Sequence, residues 1–138
     1  MQSRRNQSAK ATSKALGDRA EQQALDALLR QGLRLLARNY KTPGRGGGEI
    51  DLIMQEPDGT VVFVEVRLRG NPRFGGALAS VGPLKQRRLV VAATYFLQTW
   101  PILPPCRFDV MGFVASPDLQ DPAQVANMVW SKGAFAAF

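Results

Sequence analysis

The chain carries two carboxylates, Asp51 and Glu65, whose types and spacing suit the binding of a cation on a β-hairpin. The segment EIDLIMQEPDGTVVFVEVR, residues 49–67, holds two apolar runs that predict two strands. Between them, residues 57–59 (Pro-Asp-Gly) suit a type I turn closed by a glycine in the left-handed conformation. This loop sets the register of the strands, and counting back from it places Asp51 opposite Glu65.

Side chains alternate between the two faces of a strand, so the register assigns each side chain of the hairpin to a face. The carboxylate face then holds three cross-strand pairs: Asp51 with Glu65, Ile53 with Phe63, and Glu49 with Arg67. The other face is apolar and is predicted to enter the core through Ile50, Leu52, Met54, Val62, Val64 and Val66. The acidic pair is therefore expected at a fixed orientation.

Two carboxylates placed directly across a strand pair repel each other, so Asp51 and Glu65 need a positive charge nearby. A divalent metal ion, an adjacent arginine, or a raised pKa on one of the two acids would each meet that need. The chain has no histidine and a single cysteine, and the candidate ligands are hard oxygen atoms. A metal at this site is therefore predicted to be Mg²⁺ or Mn²⁺ rather than zinc.

Composition favours an anionic partner in a reducing compartment. The formal net charge is +7, which favours a nucleic acid over a membrane surface because no basic amphipathic anchor stands out. The alternative is a basic protein without such a partner. Cys106 stands alone, which excludes an internal disulfide and favours the cytoplasm. No apolar run approaches the roughly 20 residues of a membrane-spanning helix.

The length of 138 residues, 45% of them hydrophobic, predicts one compact domain with a substantial core. Residues 1–15 are rich in Ser, Gln, Lys and Arg and are predicted to form a disordered basic tail, so the domain spans residues 16–138. Such a tail either adds contacts to phosphates or is a dispensable leader.

A helix with an apolar stripe is predicted from about Gly17 to Gln31, with Gly32 as its stop signal. Glu21 lies beside the stripe. It either points over the sheet toward the acidic pair, as a third metal ligand or a water-orienting group, or is a solvated residue near the helix start.

Basic residues recur around the acidic pair. A strand over residues 33–40 leads into the Gly-rich connection 41–48, which either approaches a phosphate or is a flexible loop without a ligand. A second helix is predicted from Pro83 to about Trp100. The candidate contacts to a nucleic-acid backbone are Arg45, Arg69, Arg73, Lys85 and Arg88. The alternative for these residues is a solvated cationic surface.

Further elements complete the predicted core. The second helix is predicted to bury Val91, Ala92, Tyr95 and Phe96. Residues 107–114 alternate as a strand, in which we expect Asp109 to be structural and paired with an arginine. Residues 123–138 are predicted to form a short terminal element that docks Trp130 and Phe135 on the core.

The central residues resemble a known pattern. Asp51, followed a hairpin later by Glu65, Val66 and Arg67, resembles the PD-(D/E)xK signature of the restriction-endonuclease-like superfamily. The ordered segments GDRAEQQA, GEIDL, VFVEVR, the helix with Lys85, RFDV and the ending from Trp130 to Phe135 are similar to the bacterial YraN-like family. That likeness covers nearly all of the chain after the predicted tail.

This resemblance implies an α/β fold with a restriction-endonuclease-like core, a mixed central sheet flanked by helices in the order αβββαβ, related to Holliday-junction resolvases. It implies metal ligands at Asp51, Glu65 and the Val66 carbonyl, and it matches Glu21 to the helix-one glutamate of the resolvase-like members. YraN-like proteins are largely uncharacterised, so nuclease activity is an inference from the fold, and a fold alone does not establish function.

The chain departs from the signature at Arg67, where the signature has a lysine. The pKa of a lysine can fall far enough for it to take a proton from the attacking water, whereas a guanidinium stays charged. Arg67 is therefore not the base. It can still stabilise charge on the phosphate while a metal ion lowers the pKa of the attacking water.

Three hypotheses follow from the sequence. The leading one is a cytoplasmic, metal-dependent endonuclease, with DNA favoured over RNA as its substrate and with Asp51, Glu65, Arg67 and Glu21 as catalytic residues. The second is a catalytically silent nucleic-acid-binding module in which Arg67 neutralises the acidic pair. The third is an assembly protein that uses the edge of the hairpin to pair with a partner and forms an oligomer. A homodimer is one such oligomer that the sequence allows.

Overall fold

The computed structural model describes residues 2–69, 81–114 and 126–136, and the side chains of residues 14–68, 81–113 and 128–136. Its elements, in chain order, are α1 (Gln2–Arg30), β1 (Arg34–Lys41), β2 (Glu49–Gln55), β3 (Val61–Arg69), α2 (Pro83–Leu97), β4 (Cys106–Val114) and β5 (Ala126–Phe135). Two of the predicted nucleic-acid contacts, Arg73 and the side chain of Arg69, lie outside the described residues.

The described strands form one mixed sheet in the order β1-β2-β3-β4-β5. Neighbouring strands are antiparallel except β3 and β4, which run parallel because the chain passes through α2 between them. This is the predicted α/β architecture, a mixed sheet flanked by helices, and it is compatible with a restriction-endonuclease-like core. The predicted element order is confirmed, and the terminal element is a further strand, β5.

Each face of the sheet packs against one helix. On the α1 side the core contains Ala20, Ala24, Leu25, Ala27, Leu28, Leu33, Leu52, Met54, Val62, Val64, Met111 and Phe113. On the α2 side it contains Ile50, Ile53, Val61, Phe63, Val81, Leu89, Ala92, Ala93, Leu97, Phe108 and Val110. The central strands therefore bury side chains on both faces, which explains their nearly continuous apolar sequence.

The bounds and faces of the helices differ in part from the predictions. Helix α1 begins at Gln2, ahead of the predicted start at Gly17; the disorder of residues 1–15 stays a prediction. The predicted burial of Val91 and Tyr95 in α2 is wrong, because both are exposed and the helix packs through a neighbouring stripe. No helix in the described part of the chain has the length and apolar composition needed to cross a membrane.

The predicted hairpin is confirmed, and its register is confirmed from the loop to the pair Leu52–Val64. The predicted pairs Asp51–Glu65 and Glu49–Arg67 lie beyond the end of this ladder. The N–H of Glu56 donates a hydrogen bond to the carbonyl of Thr60 at 2.8 Å, and Gly59 adopts the left-handed φ of 98° that closes the loop. Farther along the strands, Ile53 lies opposite Phe63. The turn residues therefore determine which side chains meet across the two strands.

The predicted face of Ile50 is wrong. Ile50 packs on the α2 side, whereas Leu52 packs on the α1 side, although strict alternation would place both on one face. Asn39, which lies in β1 between the partners of these two residues, has a left-handed φ of 53°. The regular alternation is thus broken in β2 at Asp51, next to the irregular residue in β1.

The hairpin lies inside the sheet, because β1 pairs with β2 and β4 pairs with β3. Among the described residues both outer sides of the hairpin are paired, so the expectation that the hairpin offers a free edge is wrong. The outer strands of the described sheet are β1 and β5.

Candidate functional site

The Asp51 carboxylate lies where the pairing of β2 with β3 ends. The ladder ends with the pair Leu52–Val64. Beyond it, the N–H of Val66 donates a hydrogen bond to Asp51 Oδ2 at 2.8 Å. The backbone of β3 therefore holds the carboxylate close to Glu65, and the two carboxyl groups interact. The predicted meeting of the two acids is thus present in the structure.

Glu65 is buried, and its two oxygens have different surroundings. Oε1 lies 3.4 Å from Nε of Arg67 and 3.5 Å from Nζ of Lys85. Oε2 is buried and accepts no hydrogen bond from the described part of the chain. A buried carboxylate oxygen without a donor is costly, so this atom is suited to a cation that arrives from outside the chain.

Burial raises the pKa of both acids. Burial, reinforced by the negative charge of Glu65, raises the pKa of Asp51 to about 7. Burial also raises the pKa of Glu65, although the positive charges of Lys85 and Arg67 oppose the shift. Near neutral pH Asp51 is therefore partly protonated, and a metal ion that binds this carboxylate would displace the proton.

Asp51 is expected to make the protein less stable as the pH rises. Its pKa is about 7 in the folded chain against an ordinary value of 3.8, so between these values the folded state binds the additional proton. The free energy of unfolding then falls as the pH rises from about 4 to about 7, and the full cost remains above about pH 7. Without divalent metal, we expect Asp51→Asn to stabilise the protein by about 2 kcal/mol near pH 8 and to change little near pH 4.

Urea unfolding at the two pH values measures this difference. The matched control is Asp26→Asn, because Asp26 lies on α1 and accepts a hydrogen bond from Gln22 at 2.9 Å, which an asparagine oxygen can also accept. Asp26→Asn should change the free energy of unfolding by the same small amount at both pH values. A stabilisation by Asp51→Asn that is the same at both would contradict the shifted pKa.

A cleft of about 360 Å³ lies beside Asp51, between α1 and the sheet. Glu21 lines this cleft together with Asn39 and Glu49. Glu21 Oε1 accepts a hydrogen bond from Arg38 Nε at 2.7 Å. Among the described residues no group of three or more Asp, Glu or Cys side chains is close enough to hold a metal. Glu21 thus lines the same cleft as Asp51 but does not form a three-carboxylate cluster with Asp51 and Glu65.

The acidic pair fits a Mg²⁺ or Mn²⁺ ion that has few protein ligands. Mg²⁺ usually keeps several waters and binds one or two carboxylates, while substrate phosphates complete its shell. Asp51 and Glu65 supply two carboxylates, and Glu65 Oε2 is a buried oxygen that such an ion would satisfy. The donor set is therefore suited to a metal shared with a phosphate ligand.

The structure separates the basic residues that the sequence grouped together. Lys85 reaches Glu65, whereas Arg45 is exposed between β1 and β2. Arg88 is exposed on α2, and its backbone passes so close to Gly48 that a Cβ there would lie 3.0 Å from Arg88 Cβ. This close approach gives the Gly-rich connection a packing role that the sequence did not indicate.

Arg38 and Asn39 were not predicted as site residues. Arg38 binds Glu21, and Asn39 lines the same cleft. An asparagine inside a predicted strand was the available signal, because asparagine adopts the left-handed conformation more readily than most residues. The pairing of Arg38 with Glu21 joins residues far apart in the sequence, and no local pattern indicates it.

Comparison with known proteins shows which family this chain belongs to. The profile of the uncharacterised protein family UPF0102 matches residues 20–113. A UPF0102 protein of Paracidovorax citrulli is 60% identical over 102 residues, which are 74% of this chain and 76% of the relative. A UPF0102 protein of an Acidovorax species is 52% identical over 126 residues, 91% of this chain and 88% of the relative.

A UPF0102 protein of a Polaromonas species is 48% identical over 133 residues, which cover 96% of this chain and 89% of the relative. These matches include the hairpin with both acids and the start of α2, because the family profile extends from α1 into β4. The resemblance to YraN-like proteins is confirmed, and the chain belongs to the uncharacterised protein family UPF0102.

Proposed function

We propose that this protein is a cytoplasmic, metal-dependent nuclease that hydrolyses phosphodiester bonds in DNA. The observation that carries the proposal is the convergence of a buried carboxylate, Glu65, a half-buried one, Asp51, and two cations at the end of the β2–β3 ladder. One oxygen of this group, Glu65 Oε2, has no donor in the described part of the chain. An unsatisfied acidic pair beside fixed positive charges suits a metal ion that carries a phosphate.

Asp51 and Glu65 would hold a Mg²⁺ or Mn²⁺ ion, with the Val66 carbonyl as the predicted third protein ligand. Such an ion would supply Lewis-acid polarisation of the phosphate and of the attacking water. The N–H of Val66 keeps Asp51 at its place, since it donates to the Asp51 carboxylate. Glu21 lines the cleft beside Asp51 and is proposed to orient water there rather than to bind the metal.

The cations of the site would bind the phosphate. The proposed role of Arg67 is to clamp the phosphate through its planar guanidinium. The exposed Arg45 and Arg88 are proposed contacts to the DNA backbone, and Arg69 and Arg73 remain predicted contacts. Such contacts are independent of base sequence, so the affinity for DNA should fall steeply with salt.

A second candidate function is a catalytically silent nucleic-acid-binding module. The observation that favours it is that two cations of the chain itself, Arg67 and Lys85, lie close to Glu65 Oε1. In that case DNA would bind with the same salt dependence, and added Mn²⁺ would change neither the affinity nor the DNA.

Cleavage assays with branched and single-stranded DNA test the proposal. We expect the wild type to cut in Mg²⁺ or Mn²⁺ but not in excess chelator, and Asp51→Asn to lose at least about 1,000-fold in rate. Asp26→Asn, a change of the same chemistry on α1, should cut like the wild type. DNA binding without cleavage under any metal condition would favour the silent module.

A further inference from the structure

Two cations from different elements converge on a single carboxylate oxygen. Glu65 Oε1 lies 3.4 Å from Nε of Arg67, on β3, and 3.5 Å from Nζ of Lys85, in the first turn of α2. The dipole of α2 opposes a positive charge at its start, and its first turn contains no acidic residue to offset that charge. The contact with Glu65 and the attraction to nearby Asp51 therefore favour Lys85 at this position.

The two cations differ in exposure and in shape. The side chain of Lys85 is 36% exposed and that of Arg67 is 21% exposed, against 6% for Glu65. The ammonium of Lys85 thus reaches solvent while it also contacts the acidic pair. An ammonium is a compact charge with three rotatable donors, whereas a guanidinium is a rigid planar fork. A phosphate that approaches Glu65 would meet the fork from the strand and the ammonium from the helix.

We propose that Lys85 supplies the ammonium that the PD-(D/E)xK signature places two residues after its glutamate. This inference rests on the proposed nuclease function. Lys85 is then a catalytic residue that donates hydrogen bonds to a non-bridging oxygen of the scissile phosphate, and Arg67 can occupy the signature position without loss of that ammonium.

The proposed step needs no proton from Lys85. The oxygen of a water molecule forms a bond to phosphorus, and the bond between phosphorus and the leaving sugar oxygen breaks. The water gives up one proton, and the leaving oxygen takes one up. Lys85 keeps all of its protons, and its charge opposes the negative charge that grows on the non-bridging oxygens in the transition state.

Moving the lysine tests this role directly. We expect Lys85→Ala to lower the rate of DNA cleavage by about 100-fold. Adding Arg67→Lys to that variant should recover at least about tenfold, because it returns an ammonium to the same carboxylate from the strand. The control is Arg87→Ala, which removes an exposed charge from the same helix turn and should stay within about twofold of wild type.

Metal affinity gives a readout that does not depend on turnover. Lys85 competes with a metal ion for Glu65, so we expect Lys85→Ala to bind Mn²⁺ about 3-fold to 10-fold more tightly in calorimetry. Arg87→Ala should bind Mn²⁺ like the wild type.

The outcomes separate the two proposals. A wild-type protein that cleaves no DNA overturns the proposed function and this inference with it. If the wild type cleaves and Lys85→Ala cleaves equally well, the role of Lys85 alone is overturned. The same holds if Lys85→Ala loses activity and Arg67→Lys recovers none of it, or if Lys85→Ala leaves the Mn²⁺ affinity unchanged.

Discussion

Glu65→Gln is expected to lower the rate of metal-dependent DNA cleavage by at least about 1,000-fold and to leave DNA affinity within about threefold of wild type. Glutamine keeps the shape of the side chain but removes the charge that would hold the metal. Glu65 is buried, and its Oε1 is directed toward Lys85 and Arg67, so a neutral amide leaves both cations available to the DNA backbone. Initial cleavage rates in Mn²⁺ and fluorescence anisotropy in chelator measure the two quantities.

The matched control for this experiment is Glu56→Gln. Glu56 lies at the far end of the hairpin and accepts a hydrogen bond from Arg107 at 2.9 Å, which a glutamine oxygen can also accept. It should therefore cleave DNA at nearly the wild-type rate. Loss of DNA binding in a folded Glu65→Gln protein would contradict the assignment of Glu65 to the metal rather than to the DNA.

Asp109→Ala is expected to lower the free energy of unfolding by about 3 to 5 kcal/mol, which urea unfolding can measure. Asp109 is fully buried and accepts hydrogen bonds from Arg107 Nε at 3.0 Å, from Trp130 Nε1 at 2.9 Å and from the N–H of Gly133 at 3.0 Å. These contacts fasten β5 to β4. Alanine would leave a guanidinium and an indole N–H without their acceptor.

Two companion variants separate the charge of Asp109 from its hydrogen bonds. Asp109→Asn keeps one acceptor oxygen and should lose about half as much stability as Asp109→Ala. Asp26→Ala removes a surface carboxylate on α1 and should cost less than about 0.5 kcal/mol. If Asp109→Ala were no more damaging than Asp26→Ala, the buried network would not be what holds β5.

The sequence predicted the parts of the fold that depend on local chemistry. The hairpin could be assigned because the loop residues 57–59 permit few backbone conformations, and Gly59 adopts the left-handed one. The structural role of Asp109 and its arginine partner were predicted and are confirmed by the contact with Arg107. Trp130 and Phe135 pack against the core as expected, and Phe135 stacks on Phe108 with ring centres 4.8 Å apart.

Other features depend on contacts that no local pattern contains. The reversed face of Ile50 accompanies a left-handed residue, Asn39, in the neighbouring strand. In α2, apolar residues lie on more than one stripe, so periodicity left open which stripe faces the sheet. Lys85 could be identified as a cation near the site, but its contact with Glu65 requires α2 to be placed over β3. The two acids of the site could therefore be predicted from the sequence, whereas the positions of the cations around them could be predicted only in part.

Calorimetric titration of the purified protein with Mn²⁺, near pH 8, tests most directly whether Asp51 and Glu65 form a metal site. At that pH most Asp51 side chains are expected to be deprotonated, because the pKa of Asp51 is about 7. We predict saturable binding by the wild type that both Asp51→Asn and Glu65→Gln abolish and Asp26→Asn retains. Binding that survives in both site variants, or no binding by the wild type, would contradict the metal site and the nuclease mechanism built on it.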